Sequence, residues 1–146
     1  MTASVRTPAP GTLYAAYGSN LQVEQMRLRC PGAVQVGSAW LEGYRLVFRR
    51  TADVEPCVES RVPVGLWRLT PRDERALDAY EGVKLRVYER VFLPARTLSG
   101  VEEALVYRMY RGDYSPPPEA YLKRILEGYA HWEFDASIVT AAVNAS

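Results

Sequence analysis

Leu13-Tyr14-Ala15-Ala16-Tyr17-Gly18-Ser19-Asn20-Leu21-Gln22 is the stretch on which the fold turns. Leu13–Tyr17 is a short apolar and aromatic run, which reads as a buried strand. Gly18-Ser19-Asn20 stops it. Ser19 or Asn20 can cap a following helix, and Gln22 stands three residues after Ser19, the spacing of a capping box. A short helix is expected over about 21–29, with Val23, Met26 and Cys30 on one face, ended by Pro31-Gly32. A strand feeding directly into a helix presents free backbone N–H groups and a positive dipole end at the junction. Gly18 lets a ligand approach the backbone there, so the loop suits a carboxylate or a developing oxyanion. An ordinary helix cap is the plainer reading of the same residues.

Beyond this loop the chain reads as strands with a few helices between them. Strands are expected at Val34–Gly37, Arg45–Arg50 and Val62–Leu69, with Tyr44, Leu46 and Phe48 alternating against Arg45, Val47 and Arg49. Arg50–Arg61, polar and containing Pro56, reads as a loop. Thr70-Pro71-Arg72-Asp73 is a helix start with proline in the first turn. Ala76, Leu77 and Tyr80 form that helix's apolar stripe, and Gly82 ends it. Two further strands follow at about Tyr88–Ala95 and Glu103–Tyr110, turning at Leu98-Ser99-Gly100. Ser115-Pro116-Pro117-Pro118 is a stiff connector. Leu122, Ile125, Leu126 and Tyr129 have helical spacing, and Asp135 is placed to cap a last helix running to Val143. Residues 1–11 read as a loose, proline-bearing tail and 12–146 as one α+β domain, a small curled sheet or barrel flanked by helices.

Composition narrows the function. The chain has 146 residues, enough for one sizeable core, and a net charge of +1, which offers no global field to nucleic acid. Basic pairs such as Arg49-Arg50 and Lys123-Arg124 read as solvated faces, so no nucleic-acid partner is expected. No apolar run approaches the roughly 20 residues of a membrane helix, and no secretion signal is legible. Cys30 and Cys57 lack paired spacing, which fits a reducing cytoplasm and argues against a zinc site. With His131 the only histidine, any Ser/His/Asp or Cys/His nucleophile would have to use it with Ser19, Cys30 or Cys57, none of which stands in a Gly-x-Ser-x-Gly setting.

Glu81 is the most telling single residue. It sits between Tyr80 and Gly82, at the expected C-terminus of a helix, where the dipole disfavours a carboxylate by about 0.3–1 kcal/mol. A solvated glutamate at a frayed end is the plain reading. The functional one is a carboxyl whose proton affinity is raised toward neutrality, suited to general base and acid work.

Together these segments resemble the γ-glutamylcyclotransferase-like family. Tyr17-Gly18-Ser19-Asn20-Leu21 is similar to its signature loop, and Leu77-Asp78-Ala79-Tyr80-Glu81-Gly82-Val83 to the segment carrying its catalytic glutamate. Tyr88, seven residues after Glu81, and Tyr121, in Ser115-Pro116-Pro117-Pro118-Glu119-Ala120-Tyr121, match positions of its site tyrosines. The resemblance runs from Leu13 to about Tyr129 with the motifs in order. It implies a small mixed β-barrel with flanking helices and a reaction without hydrolysis, needing neither metal nor cofactor. The α-amine of a small γ-glutamyl substrate attacks its own side-chain amide, releasing 5-oxoproline and a free amine or amino acid. Glu81 would be general base and acid. Tyr17, Gly18, Ser19, Asn20, Leu21, Tyr88 and Tyr121 would bind substrate. The leaving group could belong to a dipeptide, an amine or a protected biosynthetic intermediate. The segment 50–61 looks shorter than in vertebrate relatives. A non-catalytic γ-glutamyl-binding member of the fold is the alternative from another class.

Overall fold

The computed structural model describes residues 11–109 and 112–146. Five strands close into a barrel in the order β1-β3-β2-β4-β5: β1 Thr12–Ala16, β2 Val34–Arg49, β3 Thr51–Leu69, β4 Tyr88–Thr97 and β5 Gly100–Met109. β1 runs antiparallel to β3 and meets β5 in parallel at Tyr14↔Leu105, so the barrel is mixed. Four helices flank it: α1 Val23–Arg29, α2 Pro71–Tyr80, α3 Glu119–Trp132 and α4 Ser137–Asn144. The barrel interior and the helix undersides form one core that includes Phe48, Leu66, Leu105, Ile125 and Tyr129.

Most expected elements appear, with boundaries shifted. The first strand stops at Ala16, and a 3-10 turn over Ser19–Leu21 precedes α1. The Ser19–Gln22 capping box does not form: Gln22 itself is the cap, its side chain accepting from the Gln25 N–H. The box forms instead at α2, where Thr70 and Asp73 bond reciprocally around Pro71. Asp135 accepts the Ser137 N–H at 2.9 Å at the start of α4. Of the residues assigned to the tail, 1–10 lie outside the described set. Gly11, exposed and at φ +90, lies close against β3: a Cβ there would stand 1.5 Å from the Leu69 carbonyl oxygen.

The largest correction is the loop expected over 50–61. It is continuous strand: β2 and β3 form one long hairpin with Arg50 alone at the tip, at φ 70. Over 55–61 no residue is buried: Pro56, Val58, Glu59 and Arg61 are exposed, and Glu55, Cys57 and Ser60 are half-buried. Pro56 is tolerated beside a register shift between Glu42 and Tyr44. Arg45 and Glu55, cross-strand partners, are ion-paired. The expected alternation at 44–49 also fails, since Leu46, Val47 and Phe48 are all buried. The hairpin tip is tied down on two sides. Asp53 accepts from Arg49 Nε at 2.9 Å and from the Met109 N–H at 3.0 Å. Ser115 donates its N–H to Phe48 O and accepts the Arg50 N–H.

Candidate active site

A cleft of about 500 Å³ opens between the 3-10 turn, the C-terminus of α2 and the hairpin tip. Glu81, Gly18, Ser19, Asn20, Tyr17, Tyr88 and Tyr121 all line it, though their positions span 105 residues. Leu21 does not. It is fully buried in the core, its N–H is spent on Gly18 O at 3.0 Å, and its carbonyl accepts from Trp132 Nε1. The Gln22 N–H is likewise spent, on Ser19 O. Of the loop amides, those of Gly18, Ser19 and Asn20 stand at the open start of the turn, where no intrahelical acceptor exists.

Glu81 caps the C-terminus of α2. Its N–H bonds Leu77 O at 2.8 Å, and Gly82, at φ 65, turns the chain away. Leu77 fixes this helix to the core, while Tyr80, expected in the same apolar stripe, is exposed at the cleft mouth. A second clamp holds α2 to the barrel wall: Arg90 pairs with Glu74 and Asp78, and Tyr107 donates to Asp78 Oδ1 at 2.6 Å. Burial raises the Glu81 carboxyl to about 7, with Arg29 and an Asn20 hydrogen bond pulling the other way. The weak helix-dipole effect has the same sign as burial.

Asn20 is 3% exposed and fully committed. Its Oδ1 accepts from Gln25 Nε2 and Arg29 Nη1, both at 3.0 Å. That fixes the amide orientation, so Nδ2 faces Tyr14 OH at 3.0 Å and Glu81 Oε2 at 3.4 Å. Gln25 also braces Ser19 Oγ at 2.9 Å.

The tyrosines converge on one residue of the hairpin tip, Ala52. Ala52 O accepts from Tyr88 OH at 2.7 Å and from Tyr17 OH at 3.3 Å. Tyr17 OH has a shorter bond, 2.6 Å, to Tyr107 O. Tyr121 differs, because its oxygen accepts the Ala52 N–H at 2.9 Å. Its own hydroxyl proton is therefore free to donate, with Ser19 beside it. Burial pushes the Tyr121 hydroxyl up to about 12 and those of Tyr17 and Tyr88 higher still, so all three stay neutral near pH 7.

The sequence reading missed Tyr14, Arg29, Thr51, Ala52 and Tyr107 as wall residues. Tyr14 and Tyr107 look like strand core, Arg29 like a solvated helix end, and Thr51-Ala52 lay inside the supposed loop. The hydrolase reading loses its geometry. His131 is on an exposed side of α3, 3.1 Å from Gln35 Oε1, and is not on the wall. Cys30 is buried with its thiol pushed up to about 12, and Cys57 lies beside Ser60 on the hairpin arm. Among the described residues no three His, Cys, Asp or Glu side chains gather as metal ligands.

Gly128 brings α3 against the loop. A Cβ there would stand 2.5 Å from Leu21 Cβ, 2.8 Å from its carbonyl carbon and 3.0 Å from Gln22 N. Gly128→Ala gains about 0.8–1.0 kcal/mol of helix propensity. Overpacking against backbone costs about 1–3 kcal/mol and cannot be relieved by a rotamer change. The expected net result is a lower Tm in a thermal melt. Because the displaced atoms belong to the site loop, KM for substrate should rise as well.

Comparison with known proteins agrees with this geometry. The sequence model described as "Gamma-glutamyl cyclotransferase, AIG2-like" matches residues 14–133. The mouse protein named gamma-glutamylcyclotransferase is 32% identical over 129 residues, covering 80% of this chain and 69% of its own. The human protein of that name is 30% identical with the same coverage. A solved structure titled gamma-glutamyl cyclotransferase superposes with a TM-score of 0.82 at 25% identity, over 90% of this chain and 85% of that one. A family match spanning most of the chain, relatives at this identity and a shared barrel lead to one conclusion: the chain belongs to the gamma-glutamyl cyclotransferase, AIG2-like family of enzymes.

Proposed function

We propose that the protein is a γ-glutamyl cyclotransferase. It converts a small γ-glutamyl compound to 5-oxoproline and a free amine or amino acid, with Glu81 carrying the proton. The observation that supports this most is Glu81 itself, a carboxyl raised to about 7 on the wall of a cleft shared with the Gly18–Asn20 loop.

The nucleophile belongs to the substrate, so the enzyme's tasks are conformational and protonic. The cleft holds the γ-glutamyl chain folded back, with its α-nitrogen against the side-chain amide carbon, which supplies the entropic part of catalysis. Glu81 takes a proton from the α-ammonium. The amine then forms a C–N bond to the carbonyl carbon, and negative charge collects on the carbonyl oxygen. The Gly18, Ser19 and Asn20 amides and the Tyr121 hydroxyl are donors available for this oxygen or for the substrate carboxylate. Glu81 returns the proton to the departing nitrogen as the original amide bond breaks, and the second proton that the ring nitrogen sheds on becoming a lactam passes by the same carboxyl to the released amine, which leaves as its ammonium. No water is consumed, and one carboxyl near neutrality serves both transfers. Two free thiols and the absence of any described helix long and apolar enough to cross a membrane fit a cytoplasmic location.

The test is turnover of γ-glutamyl dipeptides and γ-glutamyl amines in ¹⁸O-labelled water. The expected product is unlabelled 5-oxoproline. Labelled glutamate as the main product would make the protein a hydrolase and overturn the reading. Tight binding of γ-glutamyl ligands without product would favour a binding protein instead.

A further inference from the structure

The cleft has a chemically distinct rim. Its inner part is polar, built from the Gly18–Asn20 loop, Glu81 and the tyrosine hydroxyls. At its mouth stand three large apolar side chains that the barrel leaves exposed: Tyr80 at 59%, Leu85 at 82% and Val87 at 46%. Single exposed apolar residues are ordinary on a protein surface, but a cluster bordering a polar cleft marks a binding surface. The cluster is also held in place. The Val87 N–H bonds Gly82 O at 3.1 Å, closing the turn that carries Leu85. The Arg29 guanidinium lies 4.5 Å from the Tyr80 ring centroid, which fixes that ring.

The chemistry of the proposed reaction says what this rim would meet. Glu81 hands a proton to the departing nitrogen, so that nitrogen must come within hydrogen-bond reach of the carboxyl. Whatever is bonded to the nitrogen then extends away from the γ-glutamyl group, past Glu81. The side chains nearest in the chain to Glu81 on the mouth side are Tyr80 before it and Leu85 and Val87 on the turn after it.

We propose that Tyr80, Leu85 and Val87 form the leaving-group subsite, and that this chain prefers γ-glutamyl compounds whose released amine carries a branched or otherwise bulky apolar group. This rests on the cyclotransferase reading above, and Leu85, the most exposed of the three, is its specificity-determining residue.

Two substrate pairs isolate the apolar group from every other feature. γ-Glutamylleucine against γ-glutamylglycine, and γ-glutamylisoamylamine against γ-glutamylmethylamine, each differ by one isobutyl group, with and without a carboxylate on the leaving side. In whichever pair is turned over, kcat/KM should favour the isobutyl member by at least about tenfold, the low end of what apolar recognition supplies. Leu85→Ser should shrink that ratio to about twofold, mainly through KM. Leu85→Met should largely restore it. As Leu85 is exposed, the thermal melt of either variant should match wild type, which separates a lost subsite from a lost fold. Equal kcat/KM within the pair, or a preference unmoved by Leu85→Ser, would overturn the subsite while leaving the cyclotransferase standing. Formation of no 5-oxoproline from any of the four would overturn both.

Discussion

Glu81→Gln is expected to lower kcat by about 10²–10⁴-fold, the range over which a positioned general acid–base group contributes. The substitution keeps shape and nearly keeps volume, and Gln can still bond the Asn20 amide. What it cannot do is accept a proton from the substrate ammonium or give one back, and both transfers fall to this position. Substrate affinity, measured as Kd for a γ-glutamyl ligand, should change far less than kcat. The stability effect has the opposite sign. Glu81 titrates at about 7 in the fold, above its ordinary value of 4.5, because burial disfavours the charged form. The folded chain therefore binds more protons than the unfolded chain between those two values, and stability falls as pH rises across that window. A neutral Gln escapes this penalty, so the variant should melt no lower than wild type at pH 7.5 and its melt should lose that part of the pH dependence. Near-normal turnover with unchanged 5-oxoproline yield would keep the reaction and move the proton transfer to another residue. The wild-type profile gives a companion check: kcat/KM should rise with pH through about 7 as Glu81 ionises.

How far the sequence could be read depended on whether neighbours in space were also neighbours in the chain. The turn at Gly18, the α2 cap at Thr70-Pro71 and the stop at Gly82 are local events with local signals, and all three stand where expected. A curled sheet or barrel with flanking helices followed from the order of those events, and the mixed barrel from the family resemblance. The long hairpin did not follow. Residues 55–61 carry no alternating apolar pattern, because none of them is buried, and pairing with β2 is what makes the segment a strand. That error hid Thr51 and Ala52, and Ala52 is the residue on which Tyr17, Tyr88 and Tyr121 converge. The tyrosines themselves were visible by position. Their division of labour was not, since only geometry distinguishes Tyr88, which donates to the backbone, from Tyr121, which accepts from it. Leu21 was carried into the site by its place in the motif, yet it works from below, as the core residue on which α3 rests at Gly128.

Asn20→Asp is expected to move the pH profile rather than destroy the fold. One carboxylate oxygen can go on accepting from Gln25 and Arg29, as Oδ1 does now. The other then replaces a donor that faces Glu81 Oε2 at 3.4 Å. Two carboxylates at that separation cannot both ionise freely, so they share a proton over a wide pH range. Arg29 bonds the residue 20 side chain directly, and it therefore holds the charge on the aspartate and leaves the proton on Glu81. The base is then protonated when the substrate arrives. If the Glu81 ionisation rises by about one unit, the ionised fraction at pH 7 drops from about one half to about one tenth. A rise of about two units takes it to about one hundredth, a loss of roughly 50-fold in kcat/KM. The signature is recovery: the ascending limb should move to higher pH, and activity should return toward wild type above it. A rate that is low at every pH with an unmoved limb would mean that Asn20 serves by donating to substrate or holding the turn, not by its bond to Glu81. Gln25→Ala is the control for that second role. It removes the brace on Ser19 and on Asn20 Oδ1 without adding charge near Glu81, so it should weaken binding and leave the limb where it is.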